Sequence, residues 1–385
     1  MFLTIITFIL VLSILVFAHE LGHFFTARMF GLKPREFGIG FPPRAFGVYK
    51  DKEGKWKKIY GKAEAEDASD TIYSLNWFPL GGFVNLGEDD VEAEGPDSFV
   101  GKKIWQRMII LAAGVSMNIV LAMFLIAVGF MIGMPQALDD VGGGARVSDR
   151  KIQIVNVIAD GPAAKAGIKV GDVILDINGR QFSDYHELQK FADDNTGKDL
   201  AYKVKRNDKE VLTHMVPTYM QEAGRGGVGI GIAETGIVRY PFFIAIWEGV
   251  KTTVFLTWAI LVAFYELFKG LILGHGLSGD IAGPVGIATM TGQAARMGFV
   301  YVLQFTAMLS INLAIINFLP FPALDGGRVL FLFIEKIKGR PVKREWEAVI
   351  HNVGFALLMV LVLFVTFKDI SKFAGFFKNI FNKLF

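Results

Sequence analysis

The sequence predicts an α-helical polytopic membrane protein that carries one water-facing insert. Three observations predict it. Of 385 residues, 52% are hydrophobic, 35 are Phe and only 20% are charged, with a mean hydropathy of +0.42. That is too apolar for an ordinary soluble protein and too charged for a bare helix bundle. Five apolar stretches, roughly 2–27, 105–134, 241–273, 299–335 and 349–367, are long enough to consider as spans. Between the second and third lies a segment of about a hundred residues with globular composition.

The first stretch superficially matches a secretory leader. It lacks a basic n-region and a small-residue cleavage site, and Phe2–Ala18 runs directly into His19-Glu20-Leu21-Gly22-His23, so it reads as a transmembrane helix. Residues 28–103 then hold 12 Lys and Arg, and the short turn 336–344 holds five. Both belong on the cytoplasmic side, with the N-terminus outside, and the second span delivers 135–240 to the outside. Parity settles the rest. The chain is outside at 240 and inside at 336, so 241–273 and 299–335 cannot each cross once. The former carries Glu248, Lys251, Glu266 and Lys269 at helical spacing and reads as lying on or dipping into the outer leaflet.

About four spans result, with both termini outside. The expected organisation is 1–134 (two spans enclosing the polar, glycine-rich region 31–103), 135–240 (the insert), 241–298 (interfacial), 299–367 (two more spans) and 368–385, an interfacial amphipathic tail. Four Lys in 366–385 sit uneasily on the outside. Within the insert, "KIQIVNVI" and "DVILDING" read as strands, "DYHELQKFADDN" as a helix and "INGR" and "KRNDKE" as turns, giving a small α/β or mostly β domain with its core at about 150–235. "VGGGA" (141–145) reads as a flexible hinge before it.

Cysteine is absent, which excludes disulfides and thiolate chemistry. A net charge of +3 with no basic stripe of interleaved aromatics gives no reason to expect nucleic acid as a partner. The chemistry lies in the first span. Ionisable groups within hydrocarbon are costly and by default mark function. His19 and His23 lie four apart on one helix face, able to grip one Zn2+ while Glu20 acts as base on water. The competing reading, two core histidines beside a snorkelling glutamate, leaves all three burial costs uncompensated. Catalytic zinc usually takes a third protein ligand. The best candidate is Asp325 in "NFLPFPALDGGRVLF", where Pro320 and Pro322 break the helix and Gly326-Gly327 allow close backbone approach. An N-cap role for Asp325 is compatible with ligation.

HELGH in the first span, Leu324-Asp325-Gly326 in a later one and the insert together resemble the site-2 protease family, most nearly its bacterial RseP-like group, over nearly the whole chain. "GPAAKAGIKVGDVILDINGR" (161–180) resembles a single PDZ domain of the circularly permuted bacterial kind. "EFGIGFPPR" (36–44) and "YSLNWFPLGGFVNLGED" (73–89) look like the family's segments that fold back into the membrane as a β-hairpin beside the substrate. "AAGVSMNIVLA" (112–122), "LSGDIAGPVGIA" (277–288) and "NLAIINFLPFPALDGGR" (312–328) also match, with Val115 standing where many members have Pro. The resemblance implies an intramembrane zinc endopeptidase in a bacterial inner membrane. One Zn2+ would be held by His19, His23 and Asp325, with Glu20 catalytic. Its substrates would be single-span proteins, of the anti-sigma-factor or signal-peptide-remnant type, cut after a first cleavage outside.

The strand around Phe83, Val84 and Asn85 is expected to pair with the unwound substrate, as exposed sheet edges capture extended peptides through main-chain hydrogen bonds, and the resemblance further implies that Asn312 and Asn317 hold the substrate backbone. The bland role of these amides is interhelical hydrogen bonding. Asn118 and Gly22 read as structural support. His186, His214, His275 and His351 have no ligand spacing and read as surface or loop residues. A PDZ groove would involve "GGVGIGI" (226–232), unless the domain is only a size filter. Two other classes remain on sequence alone. One is a membrane-anchored PDZ scaffold with a vestigial HELGH, against which the intact Glu20 and Asp325 argue. The other is a tethered protease with a water-exposed site, which would not put HELGH at residue 19.

Overall fold

An apolar run with no proline and a single glycine builds α1 (Phe2–Met29). It stops where Gly31 takes a left-handed φ of 69° and Leu32 N–H reaches back to Ala27 O at 2.9 Å, a Schellman closure. The computed structural model describes residues 2–87, 97–139, 141–206, 209–221, 224–274 and 282–384. They fall into two units, Met1–Val128 with Ile246–Phe385, and Gly129–Ala245. Of the segments singled out above, 88–89, 207–208 of the "KRNDKE" turn, His275, 277–281 and Phe385 lie outside the described residues.

In the first unit, β1 (Glu36–Lys50) is the middle strand of a three-stranded antiparallel sheet between β2 (Trp56–Ile59) and β3 (Ile72–Asn85). β3 doubles back. Its two arms, Ile72–Leu75 and Gly82–Asn85, flank the same stretch of β1, Glu36–Ile39. The turn joining the arms docks on α1 midway along that helix. Ser13 Oγ donates to Pro79 O at 3.1 Å and accepts from Gly81 N–H at 3.2 Å, while Gly81, at φ 65°, leaves no room for a Cβ beside Val16. Ile39, Phe41, Trp77 and Phe78 stand exposed around that turn. α2 (Ile104–Ile132) follows. All its polar side chains between Arg107 and the helix end are Ser116 and Asn118.

The second unit is built on a six-stranded antiparallel sheet. Its strands are β4 (Met134–Ala137), β5 (Arg146–Val157), β6 (Val173–Ile177), β7 (Leu200–Arg206), β8 (Lys209–Met215) and β11 (Ile230–Arg239), in the order β4-β11-β5-β6-β7-β8. The small hairpin β9 (Thr218–Met220) and β10 (Arg225–Gly227), with α3 (Pro162–Lys165) and α4 (Tyr185–Asp194), complete it. Alternating Ile152, Ile154, Ile174, Val204 and Tyr202 pack beneath Leu188 of α4. α4 starts where Asp184 accepts the Glu187 amide at 2.8 Å. Burial alone would push the Asp172 carboxyl up, but two bonds from Arg206 and one from the Lys169 amide hold it below the usual carboxylate range. The "VGGGA" glycines are not a hinge ahead of the domain. They connect β4 to β5, both of which pair with β11, and Gly142 N–H donates to Tyr240 Oη at 3.0 Å.

The chain then re-enters the first unit. α5 (Phe242–Ile272) crosses α2 at Gly249, where a Cβ would lie 2.9 Å from that of Ala127. α6 (Pro284–Met297) has its N-terminal amide at Gly286 bound by Asp369 Oδ2 at 2.7 Å. The 299–335 stretch is two helices, α7 (Phe299–Phe318) and α8 (Asp325–Lys338), because Pro320 and Pro322 stop the first and α8 restarts at Asp325. α9 (Arg344–Leu384) absorbs both the last apolar stretch and the tail. The tail from 368 is therefore not a separate helix: no proline and only Gly375 follow Gly354, so nothing interrupts the ladder. Five described helices are long and apolar enough to cross a membrane, α5 among them. Length alone thus does not distinguish α5 from the spans.

Candidate metal centre

α1 and α2 cross where both are thin. Gly22 of α1 lies on the Ala113 carbonyl, and a Cβ there would fall 2.9 Å from Met117 Cβ. Gly114 of α2 lies under two imidazoles, and a Cβ there would fall 2.7 Å from both His19 Cε1 and His23 Cε1. Small residues let the backbones approach, and the space they leave holds the rings. His19 and His23, one turn apart and buried, put their Nε2 atoms 3.2 Å from each other. Asp325, the first residue of α8, brings Oδ2 to 2.9 Å from His19 Nε2 and 3.5 Å from His23 Nε2.

Protonation makes this convergence informative. His23 Nδ1 lies 2.8 Å from the Ile110 carbonyl, which can only accept, so Nδ1 carries the proton and Nε2 a lone pair. Asn118 Nδ2 lies 3.2 Å from His19 Nδ1 while its Oδ1 is buried without a partner; turning this amide over gives the oxygen the Nδ1 proton to accept and leaves a lone pair on His19 Nε2 as well. Two lone pairs and a carboxylate oxygen therefore face one point. Asp325 Oδ2 is buried and has no hydrogen-bond partner among the described residues. Tetrahedral zinc with bonds of about 2.0–2.1 Å sets neighbouring ligand atoms about 3.3 Å apart, and the three separations bracket that value. The donor set fits zinc, and among the described residues it is the group of three able to share a metal. Asn118 is itself fixed, since its backbone carbonyl accepts from Ser310 Oγ of α7 at 2.7 Å.

Glu20 does not join the triangle. It projects about 100° round the helix from His19, and its Oε2 accepts the Val84 amide of β3 at 2.9 Å. Val84 N–H therefore points away from β1, on the outer edge of the Gly82–Asn85 arm, and Gly82 shares that edge by alternation. Phe83 packs on Gly38 of β1, and Asn85 Oδ1 accepts the Gly87 amide in its own turn. Asn317 lies seven residues from Ser310, on the same face of α7, which turns towards α2. Asn312 lies about 200° from Ser310, and its amide is given to Met308 O of its own helix at 2.9 Å, so α7 does not bring it to the site.

His351 departs from its expected place. It is neither on the surface nor in a loop but half-buried in α9, where Nδ1 accepts the Ala323 amide at 2.9 Å. His186 and His214 belong to the second unit, where His214 Nδ1 is 2.9 Å from Asp199 Oδ2 and the His186 ring packs on Tyr185. Sequence reasoning placed Val84 in the substrate strand but missed its amide's bond to Glu20, and it missed the Ile110 carbonyl and Gly114. Of these only Gly114, amid small residues in an apolar helix, carried any signal.

Residues 7–361 match the model of Peptidase family M50. The chain is 30% identical over 455 residues to the regulator of sigma-W protease RasP of Bacillus subtilis, covering 96% of this chain and 98% of that protein. It is 29% identical to the zinc metalloprotease RasP of Geobacillus kaustophilus, with the same coverage. Among solved structures, the PDZ domain of the SdrC-like protein from Listeria monocytogenes is 25% identical over 23% of this chain and 92% of that one, with a TM-score of 0.21. A match spanning nearly all the chain, on the geometry of the first unit, identifies the protein as a member of peptidase family M50, a zinc metalloprotease of the intramembrane site-2 type.

Proposed function

We propose that His19, His23 and Asp325 hold one zinc ion and that Glu20 is the general base for cleaving a substrate helix inside the membrane. The observation that carries this is the convergence of two imidazole lone pairs and an orphaned carboxylate oxygen beside Glu20 on an apolar helix. Zinc held there would supply Lewis acidity and make water a nucleophile near neutral pH. Glu20 takes a proton from the attacking water and passes it to the leaving nitrogen. His23 and His19 are kept in the ligating tautomer by Ile110 and Asn118.

A helical substrate hides its carbonyls in its own ladder and must be unwound. The strand around Phe83, Val84 and Asn85 captures the unwound segment by strand addition, the Val84 amide exchanging Glu20 for a substrate carbonyl, and Asn317 contributes on the α7 side. Docking of the β3 turn on Ser13, in the middle of a spanning helix, supports its re-entry into the membrane. Four spans cross an inner membrane, α5 rests at the outer interface, and the PDZ domain and both termini are extracytoplasmic, a reading supported by the Lys and Arg of 28–103 and 336–344 and opposed only by the four Lys of the tail. The PDZ domain excludes substrates whose outer domain is still untrimmed. Likeness to a regulator of sigma-W protease points to an anti-sigma factor as substrate.

The test uses purified protein, zinc analysis and a single-span substrate. Glu20→Gln should retain zinc and lose cleavage, whereas Asp325→Ala should lose both. Full proteolysis by Glu20→Gln would sink the assignment.

A further inference from the structure

The segment delivering Asp325 is held from outside its own helices. Between α7 and α8, Ala323 adopts φ 76°. A non-glycine residue keeps this left-handed conformation only where its surroundings impose it. Two contacts from one face of α9 do so. The Ala323 amide donates to His351 Nδ1 at 2.9 Å. One turn on, Gly354 lies so close to Pro322 that a Cβ would fall 2.8 Å from its carbonyl oxygen. The His351 ring is also wedged against Phe331 of α8, with centroids 5.4 Å apart. A backbone amide can only donate, so Nδ1 is held as the acceptor.

We infer that His351 is a positioning residue for Asp325. α9, which carries no ligand, clamps the Pro322–Ala323 turn through His351 and Gly354, and this fixes where α8 begins. The position of the Asp325 carboxylate relative to His19 and His23 therefore depends on α9, and zinc affinity depends on a hydrogen bond made two residues before the ligand. The inference rests on the zinc reading of His19, His23 and Asp325.

The measurement is the zinc dissociation constant of the full-length protein in detergent, by competition with a chromophoric chelator. Wild type, Asp325→Ala, His351→Phe, His351→Asn and Gly354→Ala are compared. Asn overlays an acceptor oxygen on Nδ1, whereas Phe keeps the ring and lacks the acceptor. His351→Phe should weaken zinc by roughly three- to tenfold, the worth of one hydrogen bond, and His351→Asn should stay within about twofold of wild type. Gly354→Ala should weaken zinc by pushing the turn away, and it tests the clamp even if His351→Phe fails to fold. With zinc saturating, His351→Phe should regain kcat with KM unchanged.

Equal affinity of folded His351→Phe and wild type overturns the clamp. So does equal loss in the Asn and Phe variants, which would assign the effect to ring packing. So does wild-type affinity in Gly354→Ala. If Asp325→Ala binds zinc as tightly as wild type, the zinc reading itself fails, and the two failures are thereby separated.

Discussion

Replacing Gly114 by Ala adds one methyl at the point where two imidazoles pass over α2. Its Cβ would stand 2.7 Å from His19 Cε1 and from His23 Cε1. His23 Nε2 would be closer still, and ordinary contact begins near 3.4 Å, so α2 must retreat by at least roughly 0.7 Å or the rings must turn. Neither is tolerable, because metal–ligand distances hold to about 0.2 Å. The retreat would also stretch the His23–Ile110 bond from 2.8 Å to about 3.5 Å, beyond a hydrogen bond. Loss of such outer partners typically costs 10- to 100-fold in metal affinity or activity, and that is the expected loss here. Ala favours an isolated helix by about 1 kcal/mol over Gly, so helix propensity works in the opposite direction and cannot mimic the result. Zinc content after dialysis, with cleavage of a single-span substrate, is the assay. Wild-type zinc binding and turnover in Gly114→Ala would refute the reasoning.

Cysteine labelling tests the topology without background in this cysteine-free chain: Ser183→Cys should react with an impermeant reagent from outside, and Lys57→Cys only after the inner membrane is opened. Pro241→Cys and Gly274→Cys, at exposed positions flanking α5, should both label from outside, and opposite sides would make α5 a span. Replacing 134–239 with a flexible linker should leave zinc bound and extend cleavage to substrates with a bulky outer domain; loss of cleavage of a trimmed substrate would mean that the domain delivers substrate. Because Asp172 is held below its unfolded value of about 3.9, its stabilisation is complete above about pH 5 and disappears as pH falls through that value towards the lower folded one. Asp172→Asn leaves Arg206 without its charge partner and should destabilise the domain by about 3 kcal/mol, seen as faster amide exchange in β6 and β7 at pH 7 with the difference shrinking at pH 3.

The ligands were legible because their signals are side chains in unfavourable surroundings. Two histidines four apart, and an acid after a proline-broken turn, are costly in apolar sequence, and the cost itself identifies them. The groups that orient them are mostly not of that kind. Ile110 and Val84 act through backbone atoms, which every residue has, so nothing in their side chains announces the role. His351 is a lone histidine in a helix, and its partner is an amide in a turn whose left-handed Ala323 has no sequence signature. Asn312 and Asn317 are alike in composition, and their separation needed the phase of α7, set by the Ser310–Asn118 contact. The glycines at 142–144 read as a hinge because strand β4, before them, is only four residues long and pairs with a strand nearly a hundred residues later.

Ser13 and Glu20 touch β3 at Gly81 and Val84. Seven helical residues rise about 10.5 Å, and three extended residues advance about 10 Å, so helix and strand run alongside one another as matched rulers. Such a gauge does not tolerate slippage. Deleting one residue from 14–18 would turn everything before it by about 100° relative to Glu20, and the strand could then meet the hydroxyl or the carboxylate but not both. A one-residue insertion between Gly81 and Val84 would fail for the same reason. In this pair of elements substitutions are the available currency of change, and length is fixed.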